Sequence, residues 1–162
     1  MVSDELDNVD KGILYLLQQN ARTSTTADIS ESIGVSSSTV GNRINKLEER
    51  GVITGYYPTI NYEKTGLNHH FLLDATVPLE VQGEIVDEVM HVSGVVTVHE
   101  MLTNDRNVLI ELVGRNREEV KQALIELNSI GVDIGRTTLM KQTRTQPYNH
   151  FGKKYTSEDD TG

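Results

Sequence analysis

Apolar positions in the first fifty residues recur at helical spacing. Leu6, Val9, Ile13, Leu16 and Leu17 form one face of a helix ending near Asn20. The hydroxyl cluster Thr23 to Thr26 follows, and Thr25 with Asp28 three residues on has the form of a capping box. It predicts a short helix with Ile29 and Ile33 inside, stopped at Gly34, where glycine accepts the positive φ of a sharp turn. Ser36 then caps a third helix with Val40, Ile44 and Leu47 inward and Gly51 as its stop. Two helices joined by a short glycine turn are a helix-turn-helix, whose second helix enters the major groove of DNA.

The outward face of that helix carries Ser37, Ser38, Thr39, Asn42, Arg43 and Lys46, with Thr25 at the head of the preceding helix. Hydroxyls at a helix start bond phosphates or base edges, Asn suits adenine, and Arg or Lys reaches guanine or phosphate. Two alternatives stand beside this reading. Arg43 can pair with a carboxylate of the first helix, and the whole polar face can serve protein contact in a ligand-sensing oligomer.

Past Gly51 the pattern changes. Residues 52–61 are β-type (Val52, Ile53, Tyr56, Tyr57) and predict an extended linker strand, with Pro58 marking an edge position. Phe71, Leu73, Ala75 and Val77 alternate as a strand; Val81, Ile85, Val89 and Val92 make a helical face. Val95 to Leu102 and Asn107 to Val113 read as a hairpin around Thr103–Arg106. Val120, Ala123, Leu124, Leu127 and Ile130 predict a second helix, and 132–141 a last strand. The order βαββαβ is a ferredoxin-like sandwich, making the chain α+β. The expected division is 1–51 helix-turn-helix, 52–68 linker, 69–141 sandwich, and 142–162 a tail without periodicity, expected to be partly disordered.

Charge complicates the nucleic-acid reading. The 162 residues carry a net charge of −9, and acidity is spread over both halves, with five basic against eight acidic residues up to Asn61. The window from Gly34 to Leu47 escapes it, holding Arg43, Lys46 and no carboxylate. Seven lysines beside twenty-four carboxylates are the balance of a halophile's salt-adapted protein, or simply of an acidic one. With no cysteine, thiolate metal sites and thiol catalysis are excluded. The five histidines show no chelating spacing, and neither a phosphate loop nor a nucleophile elbow occurs. The expectation is a non-enzyme without metal or cofactor, cytoplasmic, with neither a membrane span nor a signal peptide.

Three stretches carry a family resemblance: Leu6–Leu14 (LDNVDKGIL), Ile33–Val40 (IGVSSSTV) and Arg43–Ile53 (RINKLEERGVI) followed by Gly55-Tyr56. Their order and spacing resemble the DNA-binding half of the Lrp/AsnC transcriptional regulators, as found in halophilic archaea among others. Ser30 departs from the alanine usual at that turn. The likeness extends to about Met140 and implies a winged helix-turn-helix followed by an effector domain. It further implies that the linker pairs across a homodimer bound to double-stranded DNA, with dimers assembling as far as tetramers to octamers. An amino acid or related metabolite would bind beside the middle hairpin. There the family's glycine–x–aromatic–aspartate loop is replaced by Thr103–Asn107, leaving Asn104, Asp105 and Arg106 as candidates, with Asp105 for an ammonium and Arg106 for a carboxylate. A solvated hairpin tip is the plainer alternative. Thr137 and Thr138 stand where the family often lines the pocket with hydroxyls, though strand propensity alone also favours threonine.

Overall fold

The computed structural model describes residues 5–156, which fall into two compact units: Met1–Pro58 with Arg144–Gly162, and Thr59–Thr143. The first contains three helices, α1 (Asn8–Asn20), α2 (Thr26–Ile33) and α3 (Ser37–Glu49). All three have side-chain N-caps, at Asp7, Thr25 and Ser36, and the first two are full capping boxes closed by Asp10 and Asp28. Gly34 ends α2 at φ 74°. At the end of α3, Val52 N–H donates to Leu47 O and Gly51 N–H to Glu48 O, a Schellman stop with Gly51 at φ 68°. Ile13, Ile29, Val40 and Leu47 are at most 1% exposed and join the helices in one small core.

The expected linker strand is not formed. Residues 54–61 are irregular and pair with no strand among the described residues. A strand needs a ladder partner, and the described chain supplies none there; Tyr57 is left 85% exposed.

A second correction concerns the tail. Rather than lying unordered, residues 148–156 return to the helical unit as two 3₁₀ turns, Asn149–Phe151 and Lys153–Tyr155. Tyr148 N–H donates to Gln18 Oε1 at 3.3 Å, Phe151 packs on the helical core, and Thr156 is buried. Gly152 lies so close to α1 that a Cβ there would be 2.8 Å from the Lys11 carbonyl. Fit of single residues, not periodicity, makes this contact. Residues 157–162 lie outside the described part, so the expectation for them stays where it was.

The second unit is a four-stranded antiparallel sheet in the order β2-β3-β1-β4, made of β1 (His69–Thr76), β2 (Val95–Glu100), β3 (Val108–Gly114) and β4 (Asp133–Leu139). Helices α4 (Gln82–Val89) and α5 (Arg117–Ser129) cover one face. Leu73, Ala75, Val108, Ile110 and Leu112 point into that core to meet Val86, Val89, Val120, Ala123 and Leu127. This is the expected βαββαβ order, with strand ends shifted by one to two residues. Residues alternate along a strand, so Leu72, Leu109 and Glu111 lie on the other face, half-buried in the single chain.

Candidate nucleic-acid interface

The helix-turn-helix owes its geometry to its turn. Ser30, the departure from alanine, donates its hydroxyl to Val35 O at 2.6 Å, while Gly34 N–H donates to Ser30 O at 2.9 Å. The serine therefore ties the end of α2 to the residue leading into α3. Gly12 brings α1 against this turn, since a Cβ on it would sit 2.9 Å from Ile33 Cγ2.

With Val40 and Leu47 buried, helical geometry turns Ser38, Asn42 and Asn45 outward, and Ser37, Ser38, Asn42, Asn45 and Lys46 are all exposed. Among the described residues, Ser37, Asn42, Asn45 and Lys46 make no side-chain hydrogen bond or ion pair within the chain. Asn45 was missed as a candidate. The signal for it was present, because it lies three residues after Asn42 on the same face. Ser36 Oγ, the N-cap, accepts from Thr39 N–H at 3.1 Å and lies 3.0 Å from Ser38 Oγ and 2.8 Å from Thr39 Oγ1. The three hydroxyls form a cluster at the start of α3, with Thr39 half-buried.

Two of the candidate contacts are occupied elsewhere. Arg43 turns back toward α1, its Nη1 lying 2.8 Å from Asp7 Oδ2 and 3.3 Å from Asp10 Oδ1. Asp10 is only 4% exposed, so the guanidinium serves the helix packing rather than the outer face. Thr25 is committed to its cap: its hydroxyl donates to the Asp28 carboxylate and accepts from Asp28 N–H. Those contacts hold the Asp28 carboxyl below its usual range, the Thr25 hydroxyl contributing most. Behind α3, Tyr56 donates to Glu48 Oε1 at 2.8 Å, and partial burial together with that carboxylate pushes the phenol up to about 12.

In the sheet unit, the β2–β3 connection is exposed from Leu102 to Arg106, as the solvated-tip alternative has it, and is tied back to β1. Asp105 Oδ1 accepts from the Thr76 hydroxyl at 3.1 Å, and the same hydroxyl accepts from Arg106 N–H at 3.0 Å. Arg106 has φ 50°, the one non-glycine residue at positive φ among those described. Asp105 thus fastens the loop to the end of β1. Beside it lies a cleft of about 440 Å³ lined by Thr76, Pro78, Glu80, Asn104, Gly131 and Asp133. Thr137 and Thr138 pair with Leu73 and Leu72, while Thr76 pairs with Asp133. That places them roughly 13 Å along β4 from the loop, and adjacent strand residues point to opposite faces. Within one chain the two sets of effector candidates are not brought together.

Asn107 carried no signal in the sequence. It is fully buried; its amide accepts from Val77 N–H at 2.9 Å and donates to Val77 O at 2.8 Å, while Gln82 Nε2 donates to Asn107 O at 2.9 Å. This clamp holds the backbone of Val77, which lines the cleft. Among the described residues no group of His, Asp or Glu is arranged to hold a metal ion, and no helix is long and apolar enough to cross a membrane.

A helix-turn-helix with an open polar recognition face, followed by a ferredoxin-like sandwich, defines a class of transcriptional regulator. Residues 6–54 match the family model described as winged helix-turn-helix DNA-binding. An uncharacterised HTH-type transcriptional regulator of Pyrococcus furiosus is 30% identical over 138 residues, covering 82% of this chain and 89% of the relative. Two solved structures share the fold. E. coli AsnC has a TM-score of 0.70 at 22% identity, covering 89% of this chain and 97% of that one. A Neisseria meningitidis transcriptional regulator in complex with L-Met has a TM-score of 0.72 at 23% identity, covering 90% and 99%. The chain belongs to the Lrp/AsnC family of HTH-type transcriptional regulators.

Proposed function

We propose that the protein is a homodimeric, sequence-specific regulator that grips double-stranded DNA with α3 and changes its assembly or DNA affinity on binding an amino acid. The observation carrying the DNA half is the outer face of α3, where Ser37, Ser38, Asn42, Asn45 and Lys46 stand exposed and carboxylates begin only at Glu48. Asn42 and Asn45 have the donor–acceptor pair that reads adenine, and Lys46 suits phosphate. An acidic protein can bind DNA through such a window because repulsion from distant carboxylates is screened beyond about 8–10 Å at physiological salt.

Dimerisation is supported by the apolar surface left open: Tyr56, Tyr57 and Ile60 on the linker, and the sheet face bearing Leu72 and Leu109. Leu102, fully exposed on the β2–β3 loop, supports assembly of dimers into tetramers or larger rings. The effector reading is supported by the cleft beside that loop, where Glu80 and Asp133 offer carboxylates to an ammonium group and Asn104 an amide. Arg106 remains the residue for a carboxylate, and Asp105 acts by holding the loop. The bound L-Met of the Neisseria relative supports the ligand class.

A mobility-shift assay on the DNA upstream of the protein's own coding sequence, with and without each common amino acid, tests both halves. Retardation that survives competitor DNA and shifts with one amino acid is expected. Binding to no duplex would leave α3 as a protein-contact face.

A further inference from the structure

Gly41 sits in the middle of α3, where glycine is the poorer choice: it loses more backbone freedom on folding than alanine and adds no contact. The chain itself gives no reason for it. Its φ is not positive, and a Cβ built there would meet nothing within 4 Å. Gly12, as deep inside α1, is different, because Ile33 Cγ2 would be 2.9 Å from its Cβ. Gly83 also faces open space, but it is the second residue of α4, within the first helical turn. Among the described residues, Gly41 alone is an interior helical glycine with no internal cause.

Its direction supplies one. At 100° per residue, Gly41 lies one turn from Ser37 and Ser38 on one side and Asn45 on the other, all exposed. We propose that Gly41 is a determinant of DNA affinity: its missing side chain lets the α3 backbone approach the groove closely enough for Ser38 and Asn45 to reach base edges. Glycine is the residue that permits close approach of backbone to a ligand. The proposal rests on α3 being the DNA-reading helix, and it adds which side of α3 lies nearest the groove.

The test uses the full chain and a duplex selected from a random-sequence library by the wild-type protein. Gly41→Ala is expected to raise the melting temperature by about 2–4 °C while weakening binding about tenfold or more. Gly41→Leu is expected to weaken binding further without lowering the melting temperature. Opposite signs in stability and affinity are what a purely structural glycine would not give. Asn42→Ala is measured alongside. If it weakens binding while both Gly41 variants bind within twofold of wild type, the inference about Gly41 fails and the reading of α3 stands. A lowered melting temperature for Gly41→Ala overturns the inference as well, by revealing a structural need for the glycine. Selection that yields no bound duplex overturns both.

Discussion

Arg43 on α3 reaches back 33 residues to Asp10 on α1, with 3.3 Å between Nη1 and Oδ1, and the same nitrogen meets Asp7 at 2.8 Å. Asp10 is also the residue that closes the α1 capping box, accepting from Asp7 N–H. One cation thus binds the start of α1 to the middle of the recognition helix.

Removing the cation leaves the nearly buried Asp10 with an unmatched charge. Arg43→Ala should therefore destabilise the helix-turn-helix by about 1–3 kcal/mol, the cost of leaving a buried polar group without its partner. Arg43→Lys should recover part, since one ammonium can meet both carboxylates as the single Nη1 does, but from a shorter reach. Urea unfolding followed by far-UV circular dichroism measures both. Unchanged midpoints would show that the ion pair contributes nothing.

The same cluster sets an acid limit. Burial works against ionisation of Asp7, but the Asp10 backbone N–H and the Arg43 guanidinium outweigh it and hold its carboxyl below the usual range. A carboxylate lowered in the folded state stabilises above its unfolded value of about 4, and that stability is lost as pH falls through the lowered value. Asp7→Asn keeps an N-cap and removes the charge. Wild type should melt higher than Asp7→Asn at pH 7, with the gap closing below about pH 4; a gap constant from pH 7 to 3 contradicts the assignment.

Asn107 should be the least replaceable polar residue of the sheet unit. Alanine there strips both partners from the buried Val77 backbone, which at 1–3 kcal/mol for each unsatisfied group costs about 2–4 kcal/mol after partial relaxation. Thermal melting of Asn107→Ala and Asn107→Ser checks this. Stability equal to wild type in either variant would mean water replaces the amide without loss.

Much of this was legible in the sequence because it is periodic. The α1 stripe of Val9, Ile13 and Leu16, the caps at Thr25 and Ser36 and the stops at Gly34 and Gly51 follow from helix geometry. The alternation of Leu73 and Ala75 with the outward Leu72 and Asp74 follows from the pleat. What escaped depends on partners far away in sequence. Asn107 is buried because Val77, 30 residues earlier, needs its amide, whereas the pairing of Arg43 with a carboxylate of α1 is one of the two readings its sequence position leaves open. The tail escaped for the same reason, as Phe151 and Gly152 act by shape against α1.

The tail should therefore support the helical unit. Gly152→Val places side-chain atoms against the Lys11 carbonyl and should detach residues 148–156, exposing Phe151. The expected cost is about 1–3 kcal/mol, the scale of one aromatic burial. Limited proteolysis should then cut near Tyr148 in the variant and not in wild type. Equal resistance would show the contact to be dispensable.

The central claim is that the outer face of α3 reads DNA. It is tested most directly by equilibrium binding of wild type, Asn42→Ala and Lys46→Ala to a selected duplex and to its scrambled version over a range of salt. Asn42→Ala should lose about 1–3 kcal/mol on the selected duplex and little on the scrambled one. Lys46→Ala should weaken both alike and lower the salt slope by about 1. Both variants binding as wild type does, at every salt concentration, would contradict the account and take α3 out of the groove.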